Sequence, residues 1–131
     1  VLSVKLKHLD TWTNERIAAA ARYDELLNDH SSLVVPQTPE NSKHVYHLYV
    51  VQSPNRDALA THLTEQGIGN AIHYPTPLPA MDCYLHLNTP ASDYPVAAAA
   101  CERILSLPMF GELREEEINS VTIQANSYNQ K

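Results

Sequence analysis

The chain has 131 residues and a formal net charge of -6, and its hydrophobic content of 44% fits one globular domain with a real core. Its nine basic and fifteen acidic residues include no basic cluster, which argues against a nucleic-acid partner. No apolar run approaches the roughly 18 to 20 residues that span a bilayer, so no membrane partner is expected. Two cysteines are too few for a disulfide framework, although one disulfide stays open, so a reducing cytoplasm is the expected location.

The first predicted element is a long helix. Apolar residues recur at helical spacing from Leu2 to Leu27. We therefore expect a helix from about residue 1 to Asn28, with a bend near Thr11–Thr13. The apolar spacing begins at Val1 with nothing before it to cap the helix, so we expect the chain to be a fragment of a larger protein.

The middle of the chain predicts a loop, a strand, a helix and a second strand. Residues 31–43 are rich in proline and small polar side chains, which is typical of a loop. The segment HVYHLYVVQ, residues 44–52, is dense in valine and tyrosine and is the strongest predicted strand. A helix follows, with Ser53 as predicted N-cap and Gly67 as its stop. Residues 68–73 are predicted to form the second strand.

Three prolines at alternate positions dominate the next segment, which we call the proline arm (residues 73–84). Proline fixes φ and lacks a backbone donor, so the arm is expected to be extended and outside any helix or central strand. A helix from about Pro95, a short strand over residues 105–108 and a helix over residues 113–128 follow, and residues 124–131 are expected to fray. This order predicts an α+β fold, with helices packed on one face of a small sheet.

Three blocks of sequence, in order over residues 2–123, resemble the C-terminal part of the DegT/DnrJ/EryC1/StrS family. They are LSVKLKHLDTWTNERIAAAARYDELL, then HLYVVQ with NRDALATHLTEQGIGNAIHYPTPL, then ERILSLPMFGELREEEI. The resemblance implies the small C-terminal domain of a fold-type-I, pyridoxal-phosphate-dependent aminotransferase that acts on nucleotide-linked keto-sugars. Residues 1–131 would form that single domain, with a missing N-terminal domain and the nucleotide-sugar substrate as partners, and the enzyme is expected to be a homo-oligomer.

The resemblance also implies that the cofactor is held elsewhere. The family's Schiff-base lysine, the aspartate that faces the pyridine nitrogen and most phosphate contacts belong to the N-terminal domain. The lysines of this chain lie on a predicted helix, in a loop and at the tail, and none has a recognisable cofactor context: Lys5, Lys7, Lys43 and Lys131. We expect no catalytic residue and no cofactor in this chain, with pyridoxal phosphate in the full-length parent.

His73 and Tyr74 are the predicted substrate-binding residues. In the family the small domain closes one side of the cleft, so the resemblance implies that the proline arm presents this pair, with Tyr84 behind it. A stiff arm orders such side chains with little entropy loss on binding. In the alternative, His73 ends a strand with a local hydrogen bond and Tyr74 packs in the core. Two departures from the family pattern, at Pro79 and Asn70, leave the sugar open.

Other patterns support weaker alternatives. Cys83 and His86 with His73 and Cys101 would supply four zinc ligands, but structural zinc sites favour two paired knuckles and only one pair exists here. Arg56 could contact an anion from the front of its helix, although a solvent-facing side chain is expected. A thiol hydrolase lacks any sequence context for its nucleophile. A non-catalytic interaction or regulatory module that kept the fold is the second function class.

Overall fold

Two short antiparallel strands, β1 (Tyr49–Gln52) and β2 (Ile104–Leu107), lie at the centre of the computed structural model, which describes residues 1–27 and 32–128. The helices are α1 (Leu2–Leu6), α2 (Leu9–Leu27), α3 (Arg56–Glu65), α4 (Pro95–Arg103) and α5 (Glu115–Tyr128). Short 3₁₀ turns cover Leu78–Ala80, Asp82–Leu87 and Ala91–Asp93. The predicted α+β class is confirmed.

One face of the sheet and three helices form the core. Side chains alternate across a strand, and the core face of the sheet carries Tyr49, Val51, Leu105 and Leu107. Helices α2, α3 and α5 cover it with Ala19, Ala20, Tyr23, Leu27, Leu59, Leu63, Ile118, Val121 and Ala125. The predicted packing of helices on one face of a small sheet is therefore confirmed, although α4, which is described in full, contributes no buried side chain.

Two stacked tyrosines hold α2 against the sheet. The rings of Tyr23 and Tyr49 stack with their centroids 4.8 Å apart. The Tyr49 hydroxyl donates to Oδ1 of Asp24 at 2.6 Å, and the Tyr23 hydroxyl donates to the carbonyl of Pro108 at 3.1 Å. Burial raises the pKa of both hydroxyls well above their usual range, so both remain neutral donors. The pair therefore fixes α2 to β1 and to the segment that follows β2.

Strand β2 is hydrogen-bonded along both edges. One edge pairs with β1, in a register that places Tyr49 opposite Leu107. On the other edge, Ser106 exchanges two backbone hydrogen bonds with Ala71, of 2.8 and 3.3 Å. The strand predicted over residues 68–73 is therefore wrong in extent, because only the bridge at Ala71 forms.

The pairing ends at Ala71 because Ile104, the next residue of β2 that faces this edge, has both backbone groups engaged. Its N–H donates to the carbonyl of Ala100 in α4, and its carbonyl accepts a hydrogen bond from the Arg56 guanidinium at 3.1 Å. Successive residues of an antiparallel strand face alternate edges, so His73 would need the Ile104 N–H, which is already donated to Ala100, and would share the Ile104 carbonyl with Arg56. The chain accordingly leaves the sheet at His73.

Arg56 is buried, and the expectation of a solvent-facing side chain is wrong. It is 9% exposed, and its guanidinium donates to the carbonyls of Cys101 at 3.2 Å and Ile104 at 3.1 Å. A cation is favoured at the C-terminal end of a helix, where free carbonyls carry partial negative charge. Arg56 thus joins the start of α3 to the end of α4. Its partners lie 45 and 48 residues away, so no local pattern reveals them.

Strand β1 is shorter than its sequence pattern. Of the predicted residues 44–52, only the last four are a strand. Tyr46 is buried with a positive φ of 47°, and its N–H donates to Nδ1 of His44 at 3.0 Å. A residue in the left-handed region cannot continue a strand. The local turn at Tyr46 therefore outweighs the strand propensity of the residues around it.

The predicted first helix is divided into α1 and α2. The break lies at residues 7 and 8, so the expected bend at Thr11–Thr13 is wrong, since those residues lie inside α2. The N–H of His8 bonds to the carbonyl of Lys5, three residues back, which closes α1 with a tighter turn. The predicted end at Asn28 and the predicted loop start at residue 31 lie outside the described residues.

Helix α3 ends where the sequence predicts, but its N-cap residue differs from the predicted one. Asn55, and not the predicted Ser53, holds the N-cap position, while the Ser53 hydroxyl accepts from the Asn55 N–H at 3.2 Å. Gly67 has a φ of 74°, and its N–H and that of the next residue bond to carbonyls in the last turn of α3. This is the Schellman arrangement that glycine allows. The predicted stop at Gly67 is confirmed.

The C-terminal elements lie close to their predicted positions. Helix α4 begins at Pro95 and β2 begins one residue before the predicted short strand. Helix α5 reaches Tyr128, so the expected fraying is wrong for residues 124–128, where Nδ2 of Asn126 donates to the Leu26 carbonyl at 3.2 Å. Residues 129–131 lie outside the described part of the chain. None of the described helices has the length and apolar character that crossing a membrane requires.

Replacing Arg56 by alanine would leave two carbonyls without their charged donor. A hydrogen bond to a charged group contributes about 1.5 to 3 kcal/mol, so we expect Arg56→Ala to lower the free energy of unfolding by about 2 to 3 kcal/mol. Arg103→Ala is the matched control, because Arg103 is exposed at the end of α4, and its effect should stay within about 0.5 kcal/mol. Urea denaturation measures both changes. Equal losses for the two variants would contradict the capping role.

Helix α1, which is described in full, has no buried residue, and Leu2, Val4 and Leu6 are exposed. Because large exposed apolar patches favour association, we predict that the chain self-associates through α1. Leu2→Ser combined with Leu6→Ser should shift it toward the monomer in sedimentation velocity. Val96→Ser on α4 removes a comparably exposed apolar side chain and should have no such effect. A monomeric unmodified chain at high micromolar concentration would refute this prediction.

Candidate functional site

An open groove of about 480 Å³ lies where the chain leaves the sheet. One wall is the segment that leads into the proline arm, with Asn70, Ala71 and His73. The other wall is the end of β2 and the residues after it, including Ser106 and Phe110. The groove exists because, within the described ranges 1–27 and 32–128, the outer edge of β2 is paired at Ala71 alone, after which the covering segment turns away.

His73 is half-buried in this groove and held by a side-chain hydrogen bond. Its Nδ1 lies 2.9 Å from the Oγ of Ser106. Leu105 and Leu107 point into the core, so Ser106 points to the opposite face of the sheet. Ala71 stands opposite Ser106, and His73, two residues further on, is its diagonal neighbour on the same face. The imidazole is therefore oriented, with Nε2 turned away from Ser106.

Tyr74 follows His73 directly but borders a different hollow. It is 70% exposed and lines an apolar hollow of about 330 Å³ together with Pro75, Leu78 and Met81. Its ring meets that of His73 edge-on, with the centroids 5.5 Å apart. The alternative that Tyr74 packs in the core is wrong for this chain. The local hydrogen bond that the same alternative assigned to His73 is also wrong, because its partner Ser106 lies 33 residues away.

The proline arm is extended only in its first part. Pro77 has extended φ and ψ angles of -66° and 143°. Residues 78–80 and 82–87 form 3₁₀ turns, so the expectation that the arm avoids every helical turn is wrong there. Pro79 is tolerated because a residue in the first turn of a helix needs no N–H donor. Tyr84, expected behind the site residues, lies on the second turn and is partly exposed.

Asn70 lines the groove, but its donor group is turned into the protein. Its Nδ2 lies 3.2 Å from the carbonyls of Ala60 and Ile68 and 3.1 Å from Oγ1 of Thr64. These bonds tie the inner wall of the groove to the end of α3. The asparagine at this departure from the family pattern therefore supports the wall through its amide nitrogen.

Sequence reasoning missed Ser106 and Phe110 as parts of the groove. A signal for Ser106 was present, because it alternates with the buried leucines of ILSL and must face away from the core. Its contact with His73 joins residues 33 positions apart. Such a contact depends on the bridge at Ala71 and cannot be inferred from the strand alone.

The residues considered as zinc ligands do not form a site. Among residues 1–27 and 32–128, no group of three or more His, Cys, Asp or Glu side chains is placed to hold a metal ion. Cys83 is exposed and Cys101 is only half-buried, and both are free thiols, so the disulfide that the sequence left open is not formed. Cys101 is thus less buried than its apolar sequence context indicates.

The groove offers hydrogen-bonding groups but neither lysine nor arginine among its lining residues. Residues 57–102, which include the inner wall and the whole proline arm, contain neither residue type. Pyridoxal phosphate requires a lysine amine for its imine and donors or cations for its phosphate. Lys5 lies on exposed α1 and Lys43 in an exposed loop. The residues of this groove therefore do not fit the role of holding that cofactor.

The family model of the DegT/DnrJ/EryC1/StrS aminotransferases matches residues 1–125. The chain belongs to this family. The resemblance read from the three sequence blocks is thereby confirmed, and the match extends over both walls of the groove.

Two relatives and one solved structure illustrate the similarity. The pleiotropic regulatory protein of Geobacillus stearothermophilus is 40% identical over 119 residues, which are 89% of this chain and 32% of that protein. The UDP-N-acetyl-3-dehydro-alpha-D-glucosamine 3-aminotransferase of Acidithiobacillus ferrooxidans is 39% identical over 118 residues, 90% of this chain and 31% of that enzyme. The crystal structure of S. venezuelae DesV in complex with a ketimine intermediate matches with a TM-score of 0.95 at 30% identity, covering 100% of this chain and 35% of DesV. The chain thus spans about a third of the length of these proteins.

Proposed function

We propose that this chain is the C-terminal domain of a pyridoxal-phosphate-dependent aminotransferase that transfers an amino group to a nucleotide-linked keto-sugar. The observation that carries the proposal is the family match over residues 1–125 in a chain that spans about a third of its relatives. The name of the Acidithiobacillus ferrooxidans relative, a UDP-linked dehydro-sugar aminotransferase, supports the substrate class. An N-terminal cofactor domain and a second subunit would be its partners.

In this proposal the groove and the neighbouring hollow form one side of the substrate cleft. His73 is oriented by Ser106 at 2.9 Å, and the exposed hydroxyl of Tyr74 stands next to it in the chain. Both side chains can hydrogen-bond an uncharged sugar. The fixed placement of His73 favours orientation of the substrate, because little entropy of that side chain is lost on binding.

The cofactor would belong to the N-terminal domain. The groove lining contains no lysine or arginine, so neither the imine nor the phosphate would find its usual partners here. The chain on its own would therefore have no aminotransferase activity.

A non-catalytic regulatory module is the second candidate, supported by the name of the Geobacillus stearothermophilus relative. The gene sequence upstream of the codon for Val1 separates the two. An open reading frame of about 370 to 400 residues, as two domains of ordinary size require, with a lysine in a cofactor-binding context supports the enzyme. A native start at Val1 supports the module.

The purified chain should neither retain pyridoxal phosphate nor transaminate, because its groove lacks the lysine that the cofactor needs. Gel filtration after incubation with the cofactor, monitored by its near-ultraviolet and visible absorbance, measures retention. A full-length relative serves as positive control. Cofactor that co-elutes at one molecule per chain would overturn this prediction, whereas weak substoichiometric labelling of exposed lysines such as Lys5 would not.

In the full-length enzyme, Tyr74→Phe and His73→Ala should lower kcat/KM for the keto-sugar. A hydrogen bond to an uncharged group contributes about 0.5 to 1.5 kcal/mol, so Tyr74→Phe should cause roughly a two- to tenfold loss. The melting temperature of Tyr74→Phe should hardly change, since the residue is exposed. Tyr128→Phe on α5, whose ring contacts His62, is the matched control and should leave kcat/KM unaltered. If both variants kept their kcat/KM but had a lower melting temperature, the assignment of His73 and Tyr74 to the substrate cleft would be refuted.

A further inference from the structure

The hydroxyl of Ser106 has a single side-chain partner within residues 1–27 and 32–128. Ser106 is 4% exposed, and its Oγ lies 2.9 Å from Nδ1 of His73. A buried hydroxyl whose proton is not donated costs about 1 to 3 kcal/mol. Donation of the Ser106 proton to Nδ1 is the arrangement that avoids this cost.

We infer that Ser106 fixes His73 in the tautomer with hydrogen on Nε2 and so makes His73 a hydrogen-bond donor toward the groove. A neutral imidazole carries one N–H donor and one bare acceptor nitrogen. The acceptor, Nδ1, is used by Ser106, which leaves Nε2–H as the group for a ligand. The complementary ligand atom is an acceptor oxygen, such as a sugar hydroxyl or carbonyl oxygen. The assignment of that oxygen to a keto-sugar rests on the proposed function, whereas the tautomer does not.

The other tautomer of His73, with hydrogen on Nδ1, is disfavoured by the hydrogen-bond partners that Ser106 has. If Nδ1–H donated to Oγ, the serine proton would need another acceptor, and the described residues supply none to Ser106. The backbone of Ser106 is held to Ala71 by bonds of 2.8 and 3.3 Å, which keeps the residue on the face of the sheet that carries His73. The edge-on ring of Tyr74, with its centroid 5.5 Å from that of His73, borders the imidazole as well.

Ser106 is accordingly a positioning residue. It lies on β2, behind the imidazole, and acts on a ligand only through His73. Serine suits this position of β2 because its hydroxyl is a small hydrogen-bond donor. From its place opposite Ala71, it can reach Nδ1 of His73.

Nitrogen NMR of the 131-residue chain tests the tautomer directly and without a ligand. The protonated and bare nitrogens of a neutral imidazole resonate far apart, and His73→Ala identifies the signals of His73 among the seven histidines. The spectra are recorded at about pH 8.5, roughly two units above the ordinary histidine pKa, so that imidazoles in general are neutral. We expect a bare Nδ1 and a protonated Nε2 in the unmodified chain.

Ser106→Ala should move both His73 nitrogens toward the averaged shifts of an unrestrained imidazole. Ser106→Thr keeps the hydroxyl and should restore the original shifts, even if Ser106→Ala fails to fold. Ser53→Ala, which removes another buried serine hydroxyl without contact to His73, is the matched control and should change neither nitrogen. Hydrogen on Nδ1 in the unmodified chain, or unaltered His73 shifts in folded Ser106→Ala, would overturn the inference.

Kinetics of the full-length enzyme then test the link to the ligand. Ser106→Ala should lower kcat/KM by roughly two- to tenfold, the loss expected for one misaligned neutral hydrogen bond, and Ser106→Thr should recover it. If the tautomer shifts are as expected while Ser106→Ala and His73→Ala both leave kcat/KM unchanged, the proposed substrate contact fails and the tautomer inference stands.

Discussion

Both backbone groups of Ile104 are engaged before the sheet can take a third strand. Its N–H closes α4 on Ala100, and its carbonyl accepts from the buried guanidinium of Arg56 at 3.1 Å. A further bridge at Ile104 would lack its N–H donor, and within residues 1–27 and 32–128 the outer edge of β2 pairs at Ser106, with Ala71. A two-stranded sheet is marginal by itself, so it depends on the helices that cover one face and on the bridges at its edges. The groove lies where the chain leaves the sheet after the bridge at Ala71, because the backbone groups of Ile104 are already hydrogen-bonded.

The three prolines of the proline arm determine the path of the chain after the bridge at Ala71. A segment released from a sheet edge can pair again wherever donors are available, but Pro75, Pro77 and Pro79 have no N–H to offer. The arm therefore remains outside the sheet and folds on itself into 3₁₀ turns. Its apolar side chains stay at the surface, Tyr74 and Leu78 among them. Because the pairing on β2 ends early, the arm leaves the sheet. Its apolar side chains therefore stay exposed, and the groove opens beside β2.

The features that the sequence predicts are those decided by near neighbours. The alternation in ILSL, the proline at the start of α4 and the glycine stop at Gly67 each act within a few residues, and each element lies within one residue of its expected position. The errors arise where distant groups compete. Arg56 is buried because carbonyls more than forty residues away need a donor, and β1 is short because Tyr46 enters the core through a left-handed turn. At the groove, the chain position of His73 was predictable, but its partner Ser106 was not.

The groove has no lysine or arginine among the described residues that line it, which indicates what this domain would contribute to such an enzyme: directional hydrogen bonds and no positive charge. Between Asp57 and Glu102 there is neither lysine nor arginine, so in the proposed function the positive charges for a cofactor phosphate or a nucleotide diphosphate would come from outside this segment. The polar side chains on the groove walls are held in place, Asn70 by the Ala60 carbonyl and the Thr64 hydroxyl of α3 and His73 by the Ser106 hydroxyl of β2. Neutral hydrogen bonds contribute little affinity each, but they are directional. In the proposed function, a wall built from them would orient a sugar ring without adding a lysine or arginine charge near the reacting carbon, and its accuracy would depend on how rigidly β2 holds His73.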